Sequence, residues 1–131
     1  MNNFLIIGVG NLGERSIQAI KGDFLDANIF ISETNKSREN YIKKKYGVEV
    51  FSDQISIDKL DFIHISTTST GRQKIITDLN FGESCLILVE KPTASNLSEL
   101  LQQTSKKNNK NLFVNLPRRI FPINIYLKNF I

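Results

Sequence analysis

Apolar and polar positions alternate along the chain between two kinds of segment. Short, nearly continuous apolar runs rich in β-branched and aromatic residues occupy Phe4 to Gly8 (FLIIG), Asn28 to Glu33 (NIFISE), Val48 to Phe51 (VEVF), Asp61 to Ser66 (DFIHIS), Cys85 to Glu90 (CLILVE) and Leu112 to Leu116 (LFVNL). Runs of this kind predict strands covered on both faces. Between them lie stretches with helical spacing. Leu12, Ile17 and Ile20 recur on one face of a first helix, Asn35 to Gly47 (NKSRENYIKKKYG) makes a polar second helix closed by a glycine, and Ile75, Ile76 and Leu79 mark a third. A fourth, SNLSELLQQTSKKNN, opens with Asn96 before Glu99 in a capping-box arrangement and carries Leu97, Leu100 and Leu101. It ends with Lys106 and Lys107, favourable against the negative end of the helix dipole. Strand and helix in alternation with such short connections predict an α/β fold, a doubly wound parallel sheet with helices on both faces and right-handed crossovers. The last stretch, Arg118 to Ile131 (RRIFPINIYLKNFI), holds too many apolar residues for a free tail.

Composition narrows the classes without changing this picture. A chain of 131 residues holds one ordinary domain with a real core. An apolar fraction of 40% with 23% charged residues is that of a globular protein and too apolar for disorder. No apolar run approaches the roughly 20 residues of a membrane helix, and MNNFLIIGVGN lacks the basic region of a signal peptide, so a cytoplasmic protein without membrane attachment is expected. The single Cys85 sits in an apolar strand pattern with no basic neighbour and reads as a core residue. The net charge of +4 comes with lysines at the solvated ends of helices, and aromatic and basic residues do not interleave, so nucleic acid is not an expected partner. No metal site is expected.

The stretch LIIGVGNLGERSIQAI carries the first candidate chemistry. Gly8, Gly10 and Gly13 fit G-x-G-x-x-G directly after a strand and at the start of a helix. The first glycine permits the turn, the second removes a side chain where backbone approaches a pyrophosphate, and the third lets helix and strand pack closely. The helix start would present N–H groups and its positive dipole end to the phosphates. Glu33 ends the second strand, placed to accept hydrogen bonds from a ribose diol. A carboxylate there repels a 2'-phosphate and favours NAD, while Lys36 and Arg38 follow closely enough to hold that phosphate, so NADP stays open.

The second constellation is LVEKPTASNLSEL. Pro92 ends the strand ladder and restricts Lys91, which is thereby held at the carboxyl end of a strand, the edge where ligands bind in open α/β sheets. With this stretch the sequence resembles the glucose-fructose oxidoreductase, inositol dehydrogenase and rhizopine catabolism (Gfo/Idh/MocA) family over essentially the whole chain. IIGVGNLGERSIQAI matches that family's cofactor turn, DFIHISTTST its fourth strand and loop, CLILVEKPTASN its Glu-Lys-Pro signature, and LFVNLPRRIFP its sixth strand with the arginine and proline beyond.

The resemblance implies a Rossmann-like dinucleotide-binding domain over residues 1–117, with 118–131 starting the crossover to the family's second, α+β substrate domain, which is missing here. It implies that Gly8, Gly10, Asn11, Leu12 and Gly13 line the pyrophosphate, and that Glu33, Lys36 and Arg38 face the adenosine ribose. Ser66, Thr67 and Thr68 would run along the cofactor, Glu90, Lys91 and Pro92 would lie near the nicotinamide with Lys91 catalytic, and Arg119 would lie on the substrate side. A cation at Lys91 would favour negative charge developing on a substrate oxygen. The loop after the fourth strand departs from the family, with Thr67, Thr68, Ser69 and then Arg72 in place of Thr-Pro-Asn and a histidine. The only histidine, His64, lies inside the strand and reads as packed or hydrogen-bonded rather than as a catalytic base.

The function so implied is that of the nucleotide-binding domain of an NAD(P)-dependent oxidoreductase acting on a sugar, cyclitol or sugar-nucleotide alcohol, with a truncated chain that does not turn over alone. The alternatives are a stand-alone dinucleotide-binding sensor or interaction module that self-associates through its apolar C-terminal tail, and the same fold without a cofactor.

Overall fold

In the computed structural model of the chain, residues 2–52, 54–78, 84–93 and 111–116 are described. Six strands form one sheet: β1 (Asn3–Ile7), β2 (Asn28–Ser32), β3 (Glu49–Val50), β4 (Phe62–Ile65), β5 (Leu86–Glu90) and β6 (Leu112–Asn115). Three α-helices are described, α1 (Asn11–Asp23), α2 (Lys36–Tyr46) and α3 (Ser69–Asp78), with a short 3-10 turn at Ile57–Lys59. The strand order is β3-β2-β1-β4-β5-β6 and every pair is parallel. The chain therefore winds outward from β1 in one direction and restarts at β4 in the other. That reversal leaves a crevice beyond the carboxyl ends of β1 and β4. The expected fourth helix, Leu79, and the segment from 118 onward with Arg119 lie outside the described residues.

Alternation along the strands divides the core between the two faces of the sheet. Phe4 and Ile6 point to one face, where Ile17 and Ile20 of α1, Ile42 of α2, and Ile29 and Ile31 of β2 cover them. Leu5 and Ile7 point to the other, among Ile63, Ile65, Ile87, Val89 and Ile76 of α3. Helices thus pack on both faces, as the continuous apolar strands require. Cys85 is buried in the second cluster, where loss of water pushes its thiol up to about 11. Leu12 differs from the expected pattern: α1 buries Gly13, Ile17 and Ile20, whereas Leu12 is 48% exposed. Five positions before Ile17 it stands about 140° around the helix from it, off the apolar stripe.

Helix α2 is bounded by side-chain chemistry. The Asn35 side chain accepts from Arg38 N at 3.0 Å, and Gly47 closes the far end in a left-handed conformation with φ of 62°. Lys43, Lys44 and Lys45 fill the last turn, where the helix dipole favours cations. Helix α1 has a different start, since its N-cap is Gly10 and no side chain caps it.

The approach of α1 to β1 depends on Gly13. A Cβ there would lie 2.1 Å from Gly8 O and 2.8 Å from Ser66 Oγ. Gly13→Ala is therefore expected to force helix and strand apart and to cost about 3 kcal/mol by the measure of overpacked cores, read as a fall in the urea midpoint.

Candidate dinucleotide site at the sheet switch point

The turn after β1 is held from three directions. Gly8 has φ of 84°, and a Cβ on it would lie 2.9 Å from both Thr67 N and Thr67 Cγ2, so a side chain is excluded by conformation and by space. Ser66 Oγ donates to Gly8 O at 2.5 Å. Val9, fully buried, has its N–H bonded to Glu33 Oε2 at 2.9 Å and its carbonyl bonded to Arg38 Nε at 2.7 Å. A Cβ on Gly10, by contrast, would meet nothing within 4 Å. The turn is thus rigid at Gly8 and Val9 and open at Gly10, directly before the uncapped N-terminus of α1.

Glu33 serves the turn while keeping its charge. Burial alone would raise its carboxyl, but the N–H groups of Asn35, Val9 and Thr34 together with the Thr34 hydroxyl outweigh that and hold it below its ordinary range. A cavity of about 380 Å³ opens beside it, lined by Gly8, Ser32, Glu33, Thr34, Thr67, Phe51 and Ile75, with Lys74 and Asp78 also on its wall. Its wall is mostly apolar with Glu33 at one place on it, which suits a flat aromatic base joined to a diol.

The Glu90-Lys91-Pro92 turn sits across the switch point and is tied down by buried polar groups. His64 is on β4, in register with Ile6, and is 1% exposed. Its Nδ1 lies 2.8 Å from Ser16 Oγ on α1, and its Nε2 lies 3.1 Å from Glu90 Oε1. Asn115 Nδ2 donates to the same Glu90 oxygen at 2.6 Å. The carboxyl oxygen fixes the tautomer: Nε2–H donates to Glu90 and Nδ1 accepts from the Ser16 hydroxyl. Arg72, 4% exposed, donates from one terminal nitrogen to Glu90 O at 2.6 Å and to Pro92 O, and from the other to Thr67 O. The carbonyls on both sides of Lys91 are therefore gripped by one guanidinium, and the Lys91 side chain is left exposed.

The model of the GFO_IDH_MocA oxidoreductase family, NAD-binding Rossmann fold, matches residues 2–116. The chain belongs to the Gfo/Idh/MocA family. A sequence comparison with curated proteins returned no match. Among solved structures, the chain is similar to the WlbA dehydrogenase of Chromobacterium violaceum in complex with NADH and UDP-GlcNAcA, with a TM-score of 0.80 at 17% identity over 98% of this chain and 39% of that one. It is similar to scyllo-inositol dehydrogenase of Lactobacillus casei with bound NAD(H) and scyllo-inositol, with a TM-score of 0.77 at 22% identity over 99% of this chain and 40% of that one. UDP-N-acetylglucosamine 3-dehydrogenase GnnA of Acidithiobacillus ferrooxidans gives a TM-score of 0.75 at 19% identity over 98% of this chain and 42% of that one. The chain thus spans about two fifths of the length of these solved structures.

The NAD-binding domain of the family fits the residues present: open space at Gly10, an uncapped helix start, and a carboxylate at the end of β2. Gly8, Gly10, Asn11, Leu12, Gly13, Glu33, Ser66, Thr67 and Thr68 gather at the carboxyl ends of β1, β2 and β4, and Glu90, Lys91 and Pro92 follow the end of β5. Lys36 and Arg38 lie in the first turn of α2, but each is engaged, Lys36 with Glu39 and Arg38 with Val9 O and Glu14. Arg119 lies outside the described residues. The sequence pattern did not single out Glu14, Ser16, Lys74 or Asn115. The side-chain partners of Glu14, Ser16 and Asn115 are 24 or more positions away, so no local spacing marks them. Among the described residues no helix is long and apolar enough to cross a membrane.

Burial pushes His64 below its ordinary value of 6.5, against the opposing pull of Glu90. The folded state then binds fewer protons than the unfolded chain as pH falls below 6.5, so stability is present above that value and is lost on acidification through it. Urea midpoints measured between pH 8 and pH 5 are expected to fall on the acid side, and His64→Gln to flatten that slope; an unchanged slope would show another group titrating. Glu14, held down to about 2 by Lys45, Tyr46 and Arg38, acts in a separate window below 4.5.

Proposed function

We propose that this chain binds NAD(H) and forms the nucleotide-binding part of an oxidoreductase acting on a secondary alcohol of a sugar, cyclitol or sugar nucleotide. The observation that carries the reading is the contrast among the three motif glycines. Gly8 and Gly13 are required by the protein's own packing, whereas the space beside Gly10 serves nothing within the described residues. It faces the start of α1, which has no side-chain cap and where backbone N–H groups and the dipole favour an anion. The family's NAD-binding description and the NADH- and NAD(H)-bound relatives support the same ligand.

A charged Glu33 supports NAD over NADP. Its carboxylate accepts from a 2'-hydroxyl and repels a 2'-phosphate, and hydrogen bonds from the backbone keep it ionised. The adenosine end would occupy the cavity beside Glu33, with Phe51 and Ile75 against the base. When bound, the nicotinamide supplies or accepts hydride. The chain's own contribution at that end is Lys91, whose ammonium would orient a substrate hydroxyl and favour the proton's departure from it. The sugar and cyclitol class rests on the relatives, whose names include scyllo-inositol and UDP-linked amino sugars. In the whole protein a further region would complete the substrate pocket, and Arg119 would lie toward it.

The test is a fluorescence titration with NADH, in which Gly10→Ala is the informative variant. It leaves the packing intact and costs only about 1 kcal/mol as a poorer N-cap, yet it fills the space a pyrophosphate needs, so a folded protein with at least about tenfold weaker NADH binding is expected. Equal binding by the variant, or none by the wild type, would contradict the reading.

A further inference from the structure

Each of the two cations that follow Glu33 already has a carboxylate of its own. Lys36 Nζ bonds both oxygens of Glu39, at 2.9 and 3.1 Å, but its side chain is 75% exposed, so water replaces that partner at little cost. Arg38 is held more firmly. Its Nε donates to Val9 O at 2.7 Å, a terminal nitrogen pairs with Glu14 Oε2, and the guanidinium carbon lies 5.2 Å from the Tyr41 ring centroid. Glu14 is in the first turn of α1 and is anchored in turn by Lys45 Nζ at 2.8 Å and the Tyr46 hydroxyl at 2.7 Å.

We infer that Glu14 is a specificity-determining residue for the dinucleotide, acting through Arg38: it keeps the guanidinium turned onto the glycine turn and away from the ribose 2' position beside Glu33. The inference rests on the NAD reading above. The two side chains hold the same residue, since the Val9 N–H bonds Glu33 and the Val9 carbonyl bonds Arg38. Arg38 therefore stands close enough to receive a 2'-phosphate and offset its repulsion by Glu33, a task that bidentate guanidinium geometry suits well. To do so it must leave Glu14, and the Glu14 carboxylate stays ionised down to about pH 2, so the hold persists throughout the neutral range. A 2'-hydroxyl asks nothing of this pair. The cost thus falls on the phosphorylated cofactor alone, and it is set by a residue that touches neither cofactor.

The test titrates NADH and NADPH into four proteins: wild type, Glu14→Gln, Arg38→Met and the double variant. Glu14→Gln is expected to raise the ratio of NADPH to NADH affinity about tenfold, as for one released charge-assisted pair. Arg38→Met alone is expected to weaken both cofactors in parallel, because the Val9 carbonyl loses its donor, and so to leave the ratio within about twofold of wild type. In the double variant the gain should disappear, which separates a released arginine from the mere removal of a negative charge. An unchanged ratio in Glu14→Gln, a gain that survives in the double variant, or a ratio that falls in Arg38→Met overturns the proposal. Should Glu14→Gln lose the native far-UV spectrum, Arg38→Met decides alone: an unchanged ratio supports a sequestered arginine and a lowered one refutes it. Failure of wild type to bind either cofactor overturns the NAD reading together with this one, whereas binding with an unchanged ratio in Glu14→Gln overturns this one only.

Discussion

The close approach of α1 to the end of β1 is the constraint on which the rest depends. Without a Cβ at Gly13 the helix reaches Gly8 O, and without one at Gly8 the turn reaches the backbone of Thr67 just beyond β4. Three chain segments therefore meet at van der Waals distance where the sheet reverses its winding. Backbone packed this tightly leaves few ways to satisfy its polar groups. Ser66 takes the Gly8 carbonyl, Glu33 takes the Val9 N–H, and Arg38 takes the Val9 carbonyl. The same contacts aim the uncapped helix start outward over Gly10, so the site follows from how the turn is packed.

A second set of polar contacts passes under the sheet edge from α1 to β6. Ser16, His64, Glu90 and Asn115 form one hydrogen-bonded string across α1, β4, β5 and β6, and Arg72 closes the top by joining Thr67, Glu90 and Pro92. An apolar β4 residue in place of His64 would pack against the same helix, but it would leave the Glu90 side chain with one partner fewer in a buried setting. The string joins α1 to the strand that leads into the Glu-Lys-Pro turn. Lys91 is exposed in that turn, between the Glu90 and Pro92 carbonyls that Arg72 holds.

Much of this was legible in the sequence. Strands buried on both faces read as continuous apolar runs, and all six lie within a residue or two of where FLIIG, NIFISE, VEVF, DFIHIS, CLILVE and LFVNL place them. The stop at Gly47 is local chemistry and appears as expected, while Asn35 serves as the cap of that helix. Leu12 departs because three apolar residues near a helix start do not by themselves define its stripe. His64 is the packed, hydrogen-bonded strand residue its position suggests. Arg72 reads in sequence as a departure from the family loop, and only the fold shows it as the donor for three carbonyls. Glu14 gives no sequence signal at all, since Arg38, Lys45 and Tyr46 reach it from 24 or more positions away.

The central claim, that the turn at Gly10 and the carboxylate at Glu33 together receive a dinucleotide, is tested most directly by amide NMR spectra of the chain as NADH is added. The account predicts saturable shifts at Val9, Gly10, Asn11 and Leu12 and at Glu33 and Thr34, with Lys43 to Lys45 at the far end of α2 unmoved. Saturable shifts that leave the Val9 to Leu12 amides in place, or no shift at millimolar NADH, would contradict it.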